Sequence, residues 1–518
     1  MMNDQADLSS MKRTPDEGNI IRPFDEWKQV SDAVVAGERE ESKSQHWLSP
    51  WHSWKQSVHA LSMSIEADVD IFANKTIEVV VDGSGMPYTD KSGIPHDWYG
   101  RCMIAILDEN RWLMAFRSGL NHIAWGKRDA IHLITSSNEG RTWGDLNCWF
   151  DGSDISGMPF EDGHTHSEAG IYPMPNGDLI LQFWRTGYSS GTKQLRSTDD
   201  GKTWILDVDR ISIQEVIGAD GDRVLGTEDY FIDPECPSHV YMAFQYFHYN
   251  GQSGTLLACS DDSCRSYRFV GWISFLGDEK GLNAAATFEP AIEYVGDRTI
   301  VSILRDMTGQ NRTLQTSSSD MGRSFGPVVN IANQIDGGVN NGQWQRVRLY
   351  KESNPNFQHS NRMDYKKGEG RLWGFGLHSN GGGYTRKPVV YWSDNNGQSW
   401  SGPELLHGPI YPGTDTGYGD LKRRIDGTFV GATYYANDDS TMADVEQYTF
   451  GGNYDQVKVE VDDNGNGRPD MDSGWHRLSD GVNLINMRSL SGGKWRLRLQ
   501  SSSNTRPKIK QVQTKAWH

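Results

Sequence analysis

The feature that most limits the fold of this chain is a short pattern that recurs five times. The segment STDDGKTW, which begins at Ser197, carries the full form Ser-x-Asp-x-Gly-x-Thr-Trp. Such a segment suits a tight turn, because aspartate bonds its own backbone and glycine adopts a positive φ. The copies begin at residues 136, 197, 260, 318 and 393, which are 61, 63, 58 and 75 residues apart. This near-regular spacing predicts one supersecondary unit per copy.

The segments between the copies favour short strands. Runs such as DLILQFW, TIVSIL and TFVGATYY are rich in β-branched and aromatic residues and lie between clusters of turn residues. No long helical period interrupts them, so the sequence predicts an all-β protein. About sixty residues per repeat suit a four-stranded propeller blade with long loops.

Composition excludes some classes of protein. The net charge of −17 and the pI near 5.3 argue against a general nucleic-acid binder, although they allow a local basic pocket for an acidic ligand. An odd total of five cysteines does not fit a disulfide framework, and we expect free thiols. No apolar run reaches the roughly 18 residues that span a membrane. The first residues lack the apolar core of a secretory signal, which leaves a cytoplasmic or a virion-associated location open.

The chain divides into three predicted segments. Residues 1–75 form a polar N-terminal leader or attachment segment, 76–450 the propeller, and 451–518 a small β-rich tail. Within the tail, DDNGNGRPDMD matches part of a calcium loop, with candidate ligands Asp462, Asn464, Asn466 and Asp470. Ser473 stands where the bidentate glutamate is expected, so a polar surface turn is the alternative. We expect no cofactor for catalysis and at most a structural calcium ion.

The recurring pattern resembles the Asp-box of the sialidase (neuraminidase) superfamily. This resemblance implies a six-bladed β-propeller of the sialidase type, with an N-terminal extension and a C-terminal β tail. In that family the boxes close the hairpin between the third and fourth strands of a blade, away from the catalytic face. Asp199 and Asp320 are therefore expected to be structural residues.

Four further segments resemble the catalytic sialidases, in the same order along the chain. The segment WYGRCMIAIL carries Arg101, FEPAIEYVGDRTIVSILRD carries Glu289 and Arg305, GGGYTRKPVV carries Arg386, and TGYGDL carries Tyr418. The resemblance implies that the three arginines bind a substrate carboxylate. It also implies that Tyr418 is the nucleophile and that Glu289 takes the proton of the phenol.

These side-chain types agree with one chemistry. Guanidinium groups donate paired hydrogen bonds to a carboxylate, and a neutral phenol is not repelled by that carboxylate as an ionised nucleophile would be. The prediction is a retaining glycosidase that acts on a 2-keto-3-deoxy sugar acid such as sialic acid, with exo or endo cleavage left open. Its partner is an acidic glycan, and the oligomeric state is left open.

One expected residue is missing. The family places an acid/base aspartate between the first arginine and the first box, but no aspartate falls at the expected place, since Asp129 is too close to the box. His122 is the candidate acid, since an imidazole can protonate a leaving oxygen near neutral pH. His164, His166, Tyr188 and Tyr246 are candidates to line the sugar site, although aromatic residues at these places often pack between blades.

Two other functions remain open at this stage. A polysaccharide lyase could use an arginine as the carboxylate neutraliser, with His122, His164, His166, Tyr188 and Tyr246 as acid and base candidates. A non-catalytic propeller that binds glycans would need none of the catalytic assignments. A lyase forms an unsaturated sugar that absorbs in the near ultraviolet, and a binding module shows no turnover.

Overall fold

The computed structural model divides the chain into two compact units, which are Lys75–Thr449 and a second unit made of Met1–Asn74 and Phe450–His518. The residues that it describes are 20–21, 28–30, 45–48, 52–53, 60–68, 71–72, 75–83, 88–89, 95–119, 130–144, 147–150, 166–185, 191–213, 216, 223–247, 253–275, 287–306, 312–335, 343–352, 370–379, 386–407, 414–424, 426–436, 442–451, 456–462, 471–472, 476–477, 481–488, 494–501 and 508–517.

The described elements are almost entirely strands. Before the propeller these are β1 (Ile20–Ile21), β2 (Lys28–Val30), β3 (Gln45–Leu48), β4 (His52–Ser53) and β5 (Ala60–Asp68). The larger unit contains β6 (Thr76–Val81), β7 (Tyr88–Thr89), β8 (Pro95–His96), β9 (Trp98–Ile106), β10 (Trp112–Gly119), β11 (Ala130–Ser136), β12 (Asn147–Phe150), β13 (His166–Pro173), β14 (Leu179–Arg185), β15 (Thr192–Ser197), β16 (Ile205–Val208), β17 (Arg223–Ile232), β18 (Val240–Phe247), β19 (Ser253–Ser260), β20 (Arg268–Phe275), β21 (Thr287–Gly296), β22 (Thr299–Asp306), β23 (Thr313–Ser318), β24 (Val329–Asn330), α1 (Ala332–Ile335), β25 (Gln343–Lys351), β26 (Leu372–Ser379), β27 (Arg386–Ser393), β28 (Ser401–Leu405), β29 (Asp415–Arg423), β30 (Thr428–Ala436) and β31 (Asp444–Gly451). After it come β32 (Gln456–Asp462), β33 (Met471–Asp472), β34 (His476–Arg477), β35 (Gly481–Arg488), β36 (Lys494–Ser501) and β37 (Lys508–Trp517).

The larger unit consists of six four-stranded antiparallel sheets. Blades 1 to 5 are β9–β12, β13–β16, β17–β20, β21–β24 and β25–β28, and blade 6 is β29–β31 completed by β6. The first strands of neighbouring blades contact one another all the way round, and β29 returns to β9. These contacts form a closed ring, so the first strands line the centre. The predicted all-β, six-bladed propeller is confirmed.

Blade 6 closes the ring with strands from two parts of the chain. Its outermost strand, β6, comes from the start of the unit and pairs with β31 in the register Thr76↔Thr449 to Val81↔Val445. This pairing ties the two ends of the unit together. It also covers the free edge that β31 would otherwise present to other chains.

Burial falls from the inner to the outer strands of a blade, and the sequence follows it. The eight residues of β10 (WLMAFRSG) are all buried, whereas the two residues of the outermost strand β24 are both exposed. An inner strand lies between neighbouring blades and is covered on both faces. It therefore reads as a continuous run rather than as an alternating pattern.

The repeat turns, which are the five recurring segments, join the third and fourth strands of blades 1 to 5. In blade 2, Ser197 Oγ accepts a hydrogen bond from the Gly201 amide at 2.9 Å. The Asp199 carboxylate accepts one from the Thr203 amide at 2.8 Å and one from its hydroxyl at 2.6 Å. Trp204 is 7% exposed and belongs to the hydrophobic cluster shared by blades 1 to 3. These contacts give each residue of the pattern a structural role.

The fourth and fifth residues of every repeat turn have positive φ. These pairs are Glu139 and Gly140, Asp200 and Gly201, Ser263 and Cys264, Met321 and Gly322, and Asn396 and Gly397. Cys264 takes the glycine place at φ 65°, where burial raises the pKa of its thiol to about 12. Cys102, Cys236 and Cys259 are also free thiols, as expected for these positions.

Buried carboxylates connect different blades at the centre of the ring. Asp229 of blade 3 accepts hydrogen bonds from the amides of Ile292 (3.2 Å) and Leu349 (3.3 Å). Asp420 of blade 6 accepts one from the Ile104 amide of blade 1 at 2.7 Å. These carboxylates therefore supply hydrogen-bond acceptors to strand amides that face another blade. An antiparallel sheet alone leaves the amides of its inner edge without partners.

The second unit combines both ends of the chain. One of its sheets has the order β1-β37-β5-β35, and the other contains β2-β3-β36-β32-β33, with β34 beside β32 and β4 beside β36. The N-terminal segment and the C-terminal tail, predicted as separate pieces, therefore pair strand to strand in one unit. Turn and strand signals are local, so the sequence pattern carried no sign of this long-range pairing. Among the described residues, no helix has the length and apolar character needed to cross a membrane.

Candidate active site

Five of the six first strands contain the same β-bulge, in which two residues face one residue of the second strand. The register shifts lie between Gly100 and Met103, Ser167 and Gly170, Phe288 and Ala291, Gln345 and Arg348, and Gly417 and Asp420. All five occur near the start of the strand. They therefore share one edge of the propeller, which we call the site edge. The repeat turns follow the third strands and lie at the opposite edge.

In four blades the first residue inside the bulge has an unusual backbone conformation. Arg101, Glu289, Arg346 and Tyr418 have φ values of 58°, 47°, 51° and 51°. Positive φ is uncommon for residues with a Cβ, and such outliers concentrate at functional sites when the surroundings enforce them. One backbone device, repeated around the ring, thus presents four polar side chains at the site edge.

The centre of this site is a bonded pair of side chains from blades 6 and 4. The Tyr418 hydroxyl donates a short hydrogen bond to Glu289 Oε1. Arg305 Nη1, on the second strand of blade 4, donates to the same carboxylate oxygen at 2.6 Å. Glu289 is 8% exposed, whereas Tyr418 is only partly buried, so the phenol is the more accessible member of the pair.

Two guanidinium groups lie against the Tyr418 ring. The central carbons of Arg101 and Arg346 are 3.9 and 4.0 Å from its centroid. They belong to blades 1 and 5, which flank the blade of Tyr418. Contacts of this kind attract a cation to the ring face and oppose the loss of the cation's charge.

Arg386 joins the site through a second carboxylate. Its Nη1 donates to Asp415 Oδ1 at 2.8 Å, and the Tyr434 hydroxyl donates to Asp415 Oδ2 at 3.2 Å. Arg346 Nη1 in turn donates to the Tyr434 hydroxyl at 3.1 Å. The chain Arg346, Tyr434, Asp415, Arg386 therefore links the Tyr418 contacts to the third predicted arginine.

The surrounding charges set the ionisation of Glu289. Burial alone would raise the pKa of its carboxyl group, but the charges of Arg305, Arg346 and Arg101 and the hydrogen bond from Tyr418 together hold that pKa below its ordinary value. Glu289 is thus ionised at neutral pH and can accept a proton. It is also a weaker base than an unperturbed glutamate.

Several buried polar atoms of the site have no hydrogen-bond partner among the described residues. These atoms are Arg305 Nε, Arg346 Nε and Glu289 Oε2. A buried donor without a partner is costly, so such groups at an accessible edge are suited to a ligand. Together with the phenol and the carboxylate base, the donors make an arrangement that can bind an anion beside a nucleophile.

The structure brings together five of the residues predicted from the sequence, namely Arg101, Glu289, Arg305, Arg386 and Tyr418. Tyr246 does not join them. It is 3% exposed and packs against Trp272 and Phe275 inside blade 3. These contacts give Tyr246 a packing role, and its place in the sugar site stays a prediction.

The remaining predicted residues lie outside what the structure describes. His122, His164 and Tyr188 fall outside the described residues, as do Asn464, Asn466 and Asp470 of the calcium loop. His166 begins β13 and Asp462 ends β32, but only their backbone is described. Among the described residues, no group of three His, Cys, Asp or Glu side chains is placed to hold a metal ion.

Sequence reasoning missed Arg346, Asp415 and Tyr434. A signal for Arg346 exists in the chain, because YGRCMI around Arg101 and WQRVRL around Arg346 carry arginine at the same place in their bulges. Tyr434 pairs with Gly417, the residue before the bulge in blade 6, and Arg305 pairs with Phe288, the residue before the bulge in blade 4. Tyr434 and Arg305 therefore occupy the same position on the second strands of their blades. Aligning the blades with one another would have found Arg346 and Tyr434, whereas Asp415 has no such counterpart at the bulges.

Comparison with known proteins gives neighbours of the fold only. No family model matches the chain, and no curated protein matches it significantly. Among solved structures, Trypanosoma rangeli sialidase in complex with sialic acid matches at 11% identity and a TM-score of 0.50, over 85% of this chain and 95% of that one. A mutant of that sialidase displaying trans-sialidase activity matches at 14% identity and a TM-score of 0.50, over 74% of this chain and 60% of that one.

The NanB sialidase of Streptococcus pneumoniae is a further structural neighbour, with 12% identity, a TM-score of 0.49 and coverage of 74% of this chain and 71% of that one. Sequence identities this low are evidence for a shared fold and not for a shared activity. The six four-stranded blades, together with the two neighbours at a TM-score of 0.50, show that the chain has the sialidase-like six-bladed β-propeller fold.

Proposed function

We propose that this protein is a retaining glycoside hydrolase that acts on a 2-keto-3-deoxy sugar acid. The observation that carries the proposal is the bond between the Tyr418 hydroxyl and Glu289, with Arg101 against the phenol ring and Arg305 on the carboxylate. This pair is a nucleophile with its base, and the surrounding guanidinium groups suit an anionic substrate.

The proposed reaction begins with binding of the sugar carboxylate by Arg101, Arg305 and Arg386. Binding at this point holds the anomeric carbon near the Tyr418 oxygen, which converts an encounter into an oriented reaction. The phenol gives its proton to Glu289 Oε1 as its oxygen forms a bond to the anomeric carbon. The glycosidic bond breaks, and the electron pair of that bond leaves with the departing oxygen.

The departing oxygen needs a proton, and His122 remains the proposed donor. In the second half of the reaction, water replaces the tyrosine oxygen at the anomeric carbon, and the proton that the water loses passes to His122, which gave up its own proton in the first half. The electron pair returns to the phenolate, which recovers the proton from Glu289. Two displacements at one carbon leave its configuration unchanged, so the product is released with retention.

Turnover of an aryl ketoside of sialic acid tests this function, and the structural neighbour solved with sialic acid makes that sugar the first probe. Tyr418→Phe should reduce kcat at least 10³-fold, because the variant cannot form the covalent bond. Tyr241→Phe is the matched control, since Tyr241 stacks on Phe231 in blade 3, away from the site. Circular dichroism should show that both variants are folded.

Three results would contradict the proposal. Full turnover by Tyr418→Phe would remove its nucleophile. An unsaturated product with near-ultraviolet absorbance would indicate a lyase instead of a hydrolase. Binding of acidic glycans without turnover, across a panel of sugar acids, would indicate a non-catalytic propeller.

A further inference from the structure

A fourth arginine, Arg346, contacts both halves of the proposed nucleophile and base pair. Its guanidinium carbon is 4.0 Å from the Tyr418 ring centroid, and its Nε is 4.0 Å from Glu289 Oε2. It is 8% exposed and sits in the bulge of β25 at φ 51°. Arg346 is not one of the arginines that the sequence resemblance assigned to the substrate carboxylate.

Arg346 keeps its charge in this environment. Burial disfavours a charged guanidinium, but the oxygen groups of Tyr418, Tyr434 and Glu289 outweigh burial and raise the pKa of Arg346 above its ordinary value. Arginine carries five donors in a rigid planar fork. One of them is fixed on the Tyr434 hydroxyl at 3.1 Å, which sets the orientation of the whole group.

The pair of Tyr418 and Glu289 needs such a group. Arg305 donates to Glu289 at 2.6 Å and makes it a weaker base, so proton transfer from the phenol is less favourable than it would be to an unperturbed carboxylate. A positive charge beside the phenol compensates, because it favours the phenolate that remains after the proton leaves. Charged groups in contact with Tyr418 include Arg101, Arg346 and Glu289.

We propose that Arg346 is a positioning residue that holds the Tyr418 ring in its reactive orientation and stabilises its phenolate while Glu289 carries the proton. This inference rests on the proposed function, and it assigns Arg346 to the chemical step instead of to substrate binding. The hydrogen bonds from Arg346 through Tyr434 and Asp415 to Arg386 add a consequence. The residue that orients the nucleophile is connected to one that binds the substrate carboxylate.

Steady-state kinetics on the aryl ketoside separate these roles. Arg346→Met keeps much of the side-chain volume and removes the charge, and we expect kcat to fall about 100-fold with KM changed less than about threefold. Arg346→Lys restores a cation without the fork, and its kcat should return to within about tenfold of wild type. Arg265→Met is the matched control, since Arg265 is exposed in the repeat turn of blade 3.

Two kinetic results would overturn the inference. A rise in KM with unchanged kcat would make Arg346 a substrate-binding residue. Equal losses in Arg346→Met and Arg346→Lys, together with reduced thermal stability in both, would make it a structural residue only.

A spectroscopic readout is independent of turnover. The difference in ultraviolet absorbance between wild type and Tyr418→Phe during alkaline titration isolates the phenolate of Tyr418. The same difference, measured with Arg346→Met present in both proteins, gives the pH at which that phenolate forms without the guanidinium group. The phenolate signal should appear at higher pH in the Arg346→Met background. If wild type hydrolyses none of the tested ketosides, the proposed function fails while this titration still decides the role of Arg346. Identical titrations in the two backgrounds would overturn that role.

Discussion

The two edges of the propeller use the same unusual backbone in different ways. At the repeat turns, Asp200 and Gly201 have φ values of 60° and 83°, and the residues that fix them lie within the same eight-residue segment. At the site edge, Arg101 and Tyr418 have φ values of 58° and 51°, but their side-chain partners come from other blades. Local hydrogen bonds enforce the first conformation, and the assembled ring enforces the second.

This difference separates structure from chemistry. The side chains of a repeat turn satisfy backbone amides, so the turn is complete without a ligand. Those of the site edge bring several guanidinium groups together around one phenol and one carboxylate, and this excess of positive charge suits an anionic partner. Backbone strain at an edge with unsatisfied donors is therefore the better indicator of a functional site.

The largest expected effect is on activity. It appears when one carboxylate at each edge is replaced by its amide and the two variants are compared. Glu289→Gln removes the proposed base and should reduce kcat roughly 10³-fold, within the usual range for loss of general-base catalysis. Asp199→Asn changes a carboxylate in a repeat turn and should leave kcat per folded molecule unchanged. Ketoside turnover measures both variants, and a similar loss in the two would show that the edges do not differ in function.

The same contrast explains which features of each edge could be predicted from the sequence. The repeat turns carry their own determinants, so the pattern around Ser197 and Ser318 predicted one supersecondary unit per copy. Glu289 and Tyr418 were predicted through a resemblance of short segments, because no local pattern joins residues 129 positions apart. Arg346 was not predicted, because its segment resembles only a segment in another blade of the same chain. The contacts of Tyr246 inside blade 3 were not predicted, because strand signals do not show which ring faces a neighbouring strand.

A smaller effect is expected on stability at the turn edge. A Cβ on Gly322, which has a φ of 80°, would lie 2.1 Å from Leu257 Cδ2, whereas Gly177 at φ 87° has nothing within 4 Å. Gly322→Ala should therefore lower the free energy of unfolding by about 2 to 4 kcal/mol, through backbone strain and overpacking. Gly177→Ala should cost about 1 kcal/mol, from the backbone alone. Denaturant unfolding measures the loss in free energy of unfolding for each variant. Equal losses would show that packing at the repeat turn does not contribute.

The smallest expected effect concerns the strained backbone of the site edge. Arg101→Ala and Arg101→Gly remove the same contacts, but glycine adopts φ 58° without the penalty of a Cβ. Arg101→Gly should therefore be more stable than Arg101→Ala by about 1 kcal/mol, although glycine is the weaker residue in an ordinary strand. Thermal unfolding of the two variants decides the point. A less stable glycine variant would mean that the bulge carries no strain.

The central claim is that the phenol of Tyr418 is the nucleophile at the meeting point of the four bulges. A sugar-acid analogue with fluorine next to the anomeric carbon slows release of a covalent intermediate, so peptide mass spectrometry of the trapped protein tests this claim directly. The account predicts one sugar adduct, located on Tyr418 and absent from Tyr418→Phe. An adduct on any other residue, or full trapping in the variant, would contradict it.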